Sequence, residues 1–177
     1  MATRAPLSLK ARAIGLLAQR EHSRSELRRK LLRIQQQLAR RAASSESTSF
    51  RDDSDVPGAG DDAAPDADFT AIVDPLLDQL AAEAYLDESR FIESRLHVRA
   101  NRFGTQRIQQ ELARHGLKLD AEQQVALRET ELERAREVWH KRFGAMPSRD
   151  TLELARQTRF LLTRGFAPDL VRRLLKG

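Results

Sequence analysis

Apolar residues recur along this chain at helical spacing, and no segment of useful length alternates apolar and polar, so the pattern predicts helices and no sheet. Ser8 is placed to cap a helix over about 9–20 whose Leu9, Ala13, Leu16 and Leu17 share one side. Ser23 with Glu26 has the form of a capping box, and behind it Leu27, Leu31, Ile34 and Leu38 recur at spacings of 4, 3 and 4. Asp74-Pro75 reads as a cap and first-turn proline for a helix carrying Leu76, Leu77, Leu80 and Ala84. Asp87 opens the next helix, to about Asn101, and Asp120 with Gln123 and Asp150 with Glu153 repeat the box logic ahead of two more.

Aligning the helix starts exposes an internal repeat. His22-Ser-Arg-Ser-Glu-Leu27-Arg-Arg-Lys-Leu31, Phe103-Gly-Thr-Gln-Arg-Ile108-Gln-Gln-Glu-Leu112 and Phe166-Ala-Pro-Asp-Leu-Val171-Arg-Arg-Leu-Leu175 superpose without gaps. A packing residue (His22, Phe103, Phe166) precedes a small cap residue (Ser23, Gly104, Ala167), and two core positions four apart follow. A unit of two or three helices is too small to hold a core alone, so stacked copies are needed. The expected fold is all-α: tandem three-helix repeats in an elongated, curved body. The expected segments are residues 1–41 (first two helices of the first repeat), 71–86 (its third helix), 87–130 (second repeat) and 131–177 (third repeat). Between the first two segments, residues 42–70 are rich in Ser, Asp, Ala, Gly and Pro, with Phe50, Val56 and Phe69 almost the only larger apolar groups. Such a stretch cannot bury enough surface to offset its ordering entropy, and it reads as a disordered acidic insertion.

Charge divides the chain the same way. The net +5 resolves into +9 over residues 1–43, −12 over 44–88 and +8 over 89–177, which suggests a polyanionic or acidic partner. There is no cysteine, which removes disulfides, thiolate metal sites and cysteine nucleophiles together and fits a reducing compartment. The longest apolar stretch near the start, Ala13 to Ala18, has six residues, far below a membrane span or signal-peptide core, so a soluble cytoplasmic protein is expected.

Active-site chemistry finds little support. No glycine-rich phosphate loop is present, the four histidines lack metal-ligand spacing, and Glu131 and Glu133 face different ways on a helix. The residues point to a non-enzyme with no cofactor and no metal.

Binding chemistry is better represented. On helix 88–101, Phe91, Ile92, Leu96 and Val98 define an apolar arc into whose middle Arg95, Arg99 and Arg102 project. Either their stems run along the core edge while Glu83 or Glu111 neutralises the heads, or the three guanidinium forks line a concave face that takes carboxylates or phosphates. Arg28-Arg29-Lys30 and Arg172-Arg173 occupy matching positions in the first and third copies, as a solvated helix face or parts of a basic stripe interrupted by Gln109-Gln110. Phe160 projects between Arg156 and Arg164, as a contact to a neighbouring unit or an exposed anchor, whereas Trp139 and Phe143 read as core.

Four blocks, in order, resemble one family: Arg20-Glu-His-Ser-Arg-Ser-Glu-Leu-Arg-Arg-Lys-Leu31, Tyr85-Leu-Asp-Glu-Ser-Arg-Phe91, Arg102-Phe-Gly-Thr-Gln-Arg-Ile108 with Glu111-Leu112, and Arg159-Phe-Leu-Leu-Thr-Arg-Gly-Phe166. They are similar to the RecX family of bacterial recombinase regulators over most of residues 9–41 and 72–177. The resemblance implies a cytoplasmic, monomeric protein of three-helix repeats that binds RecA filaments on single-stranded DNA along their deep groove. It also implies inhibition of RecA's ATPase, strand exchange and co-protease activity. The acidic insertion departs from the family's shorter connection. Candidate partner-facing residues are Arg28, Arg29, Arg95, Arg99, Arg102, Arg107, Phe160, Arg164, Arg172 and Arg173. The alternative is a helical module that binds DNA itself; under the first reading single-stranded DNA is at most a weak direct ligand.

Overall fold

The computed structural model describes residues 7–46, 67–144 and 150–176. Among them are nine helices and no strand: α1 (Leu9–Leu17), α2 (Arg24–Glu46), α3 (Ala67–Ala82), α4 (Glu88–Ala100), α5 (Thr105–Ala113), α6 (Ala121–Glu129), α7 (Glu131–Phe143), α8 (Thr151–Thr163) and α9 (Pro168–Lys176). Three apolar clusters form, one from each successive set of three helices. No described helix is long and apolar enough to cross a membrane. The chain divides into two compact units, Met1–Asp87 and Glu88–Gly177.

The repeat register holds to the residue. α2, α5 and α9 each begin one position after Ser23, Gly104 and Ala167, and Leu27/Leu31, Ile108/Leu112 and Val171/Leu175 are all buried. His22 and Phe166 are likewise buried and Phe103 half-buried, so the staple position works in every copy.

In the first unit, Ala13, Leu27, Leu31, Val73, Leu77 and Leu80 make the core. Ser8 caps α1 by accepting from Ala11 N, and Ser23 Oγ accepts from Glu26 N at 3.2 Å. The predicted start at Asp74-Pro75 is wrong: α3 begins at Ala67 and runs through Pro75. The proline removes one backbone donor, but Val73 before it and Leu77 after it are both fully buried, so packing holds the two halves in line. Asp74 is not a cap. Its carboxylate accepts from two nitrogens of Arg28, Nε at 2.6 Å and Nη2 at 3.1 Å, and one turn along Asp78 pairs with Arg24 at 2.7 Å, fixing α2 and α3 antiparallel. Helix also claims residues 42–46 and 67–70 of the acidic stretch, while its middle, 47–66, lies outside the described residues.

His22 is 1% exposed, with Glu26 Oε2 3.2 Å from its Nδ1, an ion-pair distance without hydrogen-bond alignment. Burial lowers the imidazole's pKa and the Arg20 and Lys30 charges lower it further, against the pull of Glu26. Burial works to raise the Glu26 carboxyl, but hydrogen bonding and charge from Arg20, with help from His22, hold it at about 2.

In the second unit, two repeats share backbone. The amino end of α5 has no side-chain cap of its own, because Gly104 stands at the cap position. The third repeat supplies what is missing. Gly104 N donates to Arg164 O at 2.9 Å, Thr105 N to the buried Glu131 Oε1 at 3.0 Å, and Gln106 N to Gly165 O at 3.2 Å. Arg134, buried on α7, donates Nη1 to Ala100 O (3.0 Å) and Phe103 O (2.9 Å) and Nη2 to Leu127 O (2.7 Å), gathering the carboxyl ends of α4 and α6. A Cβ on Gly104 would stand 2.2 Å from Gly165 O, and one on Gly165, whose φ is +81°, 2.5 Å from Arg107 Cβ. The third core adds a buried polar contact, Trp139 Nε1 donating to Gln157 Oε1 at 2.9 Å.

Gly104→Ala is expected to lower the unfolding free energy by at least about 2 kcal/mol, since the obstructing atoms are backbone and cannot rotate away. Gly15→Ala, at an exposed site in α1 with open space around it, should instead raise stability by up to about 1 kcal/mol. Chemical denaturation of the two variants checks the contrast.

Acid should destabilise the first unit through two groups of like sign. Glu26 titrates near 4.5 unfolded and about 2 folded, so its contribution, on the order of 3 kcal/mol, is complete above pH 4.5 and lost as pH falls toward 2. His22, also lowered when folded, gives stability that is complete above its unfolded value of 6.5 and lost as pH drops through its folded value. Melting temperatures of Glu26→Gln should therefore fall less steeply below pH 4.5 than those of the parent chain.

Candidate cationic interface in the second unit

The arginines of the basic blocks separate into those with fixed acidic partners and those without. Arg28 belongs to the first kind, spent on Asp74. Arg29, in the same unit, is exposed.

On α4, Phe91 and Ile92 are buried and Leu96 half-buried, but Val98 is 58% exposed, so the apolar arc is narrower than its sequence projection. A helical wheel cannot show where a neighbouring helix ends, and α5 covers only part of this face. Glu111 of α5 serves two of the three arginines, standing 3.6 Å from Arg95 Nη1 and 3.1 Å from Arg99 Nε, while Glu83 instead pairs with Lys10 at 2.7 Å. Arg95 also lies over the Phe91 ring, 5.0 Å from its centroid. The trio therefore divides, because Arg102 is exposed and has no acidic partner among the described residues.

Phe103 is the hub of the remaining charge. Arg99, Arg107 and Arg164 lie 5.6, 5.0 and 5.9 Å from its ring centroid. Arg107 also donates Nη1 to Thr163 O at 3.3 Å, and Arg164 donates Nη1 to Arg102 O at 3.0 Å, so backbone carbonyls of each repeat orient guanidinium groups of the other. Phe160 meets Phe143 edge to face at 5.2 Å, with Arg164 over its ring at 4.5 Å. It is thus a half-buried part of its own repeat that also lines a cleft with Asn101 and Arg102 of the neighbouring repeat.

Two cavities adjoin this hub. One, of about 380 Å³, is lined by Asn101, Arg102, Lys141, Arg142, Phe160 and Arg164, with Val138 behind them. Four cations face it, and no carboxylate does. The other, of about 290 Å³, is lined by Arg99, Arg107, Arg114 and His115, with Glu111 as its acid. Burial lowers the pKa of Arg164, and the charges of Arg102, Arg107 and Arg142 lower it further, the electrostatic mark of like charges crowded together. Such a cluster can hold oxyanions by forked hydrogen bonds.

The structure therefore gathers Arg99, Arg102, Arg107, Phe160 and Arg164 at one place, with Arg95 beside them through Glu111. Arg172 and Arg173 are exposed on α9 and line neither cavity. Lys141 and Arg142 escape a sequence reading because a basic pair in the last turn of a helix looks like an ordinary complement to the helix dipole. Glu131 and Arg134, which hold the cluster's scaffold, escape it too: nothing local marks them as buried. Among the described residues no group of three or more His, Cys, Asp or Glu could hold a metal ion.

Residues 129–175 match the family described as RecX, third three-helix domain. Over 179 residues the chain is 44% identical to the regulatory protein RecX of Leptothrix cholodnii, an alignment covering 99% of this chain and 93% of that one. Over 176 residues it is 42% identical to the regulatory protein RecX of Ralstonia nicotianae, covering 98% and 90%. A third relative of the same name, from Pseudomonas putida, is 37% identical over 177 residues, covering 97% and 92%. With kinship of this strength over nearly its whole length, and with three-helix repeats in its structure, the chain belongs to the RecX family.

Proposed function

We propose that this protein regulates the RecA recombinase, binding RecA filaments on single-stranded DNA and lowering their ATP hydrolysis, strand exchange and co-protease activity. The observation that carries this reading is the alignment, across 98–99% of the chain, to proteins named regulatory protein RecX. The cationic cluster on the second and third repeats supports it, since a rigid basic face suits a partner rich in carboxylates or phosphates. The protein acts in the cytoplasm, as a monomer, by contact alone and with no cofactor.

The first measurement is capture. The protein should be retained by RecA assembled on single-stranded DNA more strongly than by RecA or the same DNA separately. Retention no greater than on bare DNA would overturn the filament reading in favour of a DNA-binding module. In a steady-state assay the protein should lower RecA's ATP hydrolysis at amounts well below one molecule per RecA subunit if it blocks growing ends, and near one per subunit if it fills the groove. A basic peptide of equal net charge should not reproduce the effect.

A further inference from the structure

We infer that the acid-free cleft lined by Asn101, Arg102, Lys141, Arg142, Phe160 and Arg164 is a receptor for the phosphodiester backbone of a single nucleic-acid strand, held by its phosphates and not by its bases. The inference does not depend on the recombinase reading, because the strand alone is the ligand.

Charge is the first argument. Four cations converge on about 380 Å³ with no carboxylate in the lining. Like charges at this density repel one another, yet the fold holds them there. The main chain fixes Arg164 through its bond to Arg102 O, and the rings of Phe103 and Phe160 lie beneath its guanidinium. Arg102, Lys141 and Arg142 are exposed and form no ion pair among the described residues. One carboxylate would leave most of this charge uncompensated, whereas successive phosphates match it.

Extent is the second. Arg107 of the neighbouring cavity and Arg164 of this one lie over the same Phe103 ring, so the two cavities are adjacent and offer anionic groups more than one place along a line. A polymer with evenly spaced charges fits such a row better than a single free anion does.

The aromatic rings settle which part of the strand is held. Base recognition on single strands normally uses open aromatic faces. Here Phe103 has three guanidinium groups within 6 Å of its centroid and Phe160 has one at 4.5 Å with Phe143 at its edge, so the cations precede any base at these rings. The contact should be indifferent to sequence.

The test is fluorescence anisotropy of a labelled twenty-nucleotide deoxythymidine strand with the full chain. The triple variant Arg102→Gln, Lys141→Gln, Arg142→Gln changes only exposed cleft positions. The control, Arg29→Gln, Arg172→Gln, Arg173→Gln, removes the same charge from exposed positions outside both cavities. The cleft variant should bind at least about tenfold more weakly, and its log affinity should fall with log salt by a slope about 2 smaller, as expected for three lost single-strand phosphate contacts. The control should bind within about threefold of the parent. An abasic strand of equal length should bind as well as the deoxythymidine strand. Equal losses in the two variants would show that only net charge matters, and the proposal would fall. So would undiminished binding by the cleft variant, strong preference for a base-bearing strand, or displacement of the strand by inorganic phosphate at equal phosphate concentration, which would mark a site for a free anion.

Discussion

The second unit depends on one close approach, backbone on backbone, between Gly104 and Gly165. A helix start leaves donors that must find acceptors, and α5 finds its acceptors in the third repeat: two main-chain carbonyls and the carboxylate of Glu131. Nothing bulkier than glycine fits at the meeting point, so the two repeats sit close enough for Arg134 to reach the ends of α4 and α6. The cationic cluster follows from this junction. Arg102 and Arg164 are 62 positions apart in the chain and touch because their helix ends are joined there.

The first repeat uses the same register with different chemistry. Where the later copies place phenylalanine, it places His22, buried beside a carboxylate and two cations. Where the later copies leave their two basic positions neutral or exposed, it commits Arg28 to Asp74. A shared pattern of apolar positions thus specifies the three-helix unit, while its polar positions are free to become core, strut or surface.

That division explains how much the sequence reveals. The helices, their starts after Ser23, Gly104 and Ala167, and the paired core positions are all legible, because they rest on local spacing and capping. Asp74-Pro75 misleads for a related reason. Its local signal is genuine, and packing on both sides of the proline outweighs it. Val98 appears core-facing because a projection carries no information on what lies opposite. The family blocks contain Arg102, Arg107, Phe160 and Arg164 of the candidate site, without showing that the arginines gather at Phe103 and Phe160. Lys141, Arg142, Glu131 and Arg134 lie outside any pattern of their own, and only the tertiary pairing of repeats gives them roles.

The junction also orders events during synthesis. The second repeat leaves the ribosome complete in its apolar content, yet the two main-chain acceptors for the first turn of α5, at Arg164 and Gly165, lie some sixty residues downstream, and the Glu131 carboxylate lies 26 downstream. Until α8 and the turn after it have been made, the amides of Gly104 and Gln106 can bond only to water, and Glu131 and Arg134 arrive before the carbonyl of Arg164 has taken up its place at Gly104. The second repeat can therefore collapse early but cannot reach its final form alone. Its maturation waits on the third, and a chain interrupted between them would carry a helix start with no partner to close it.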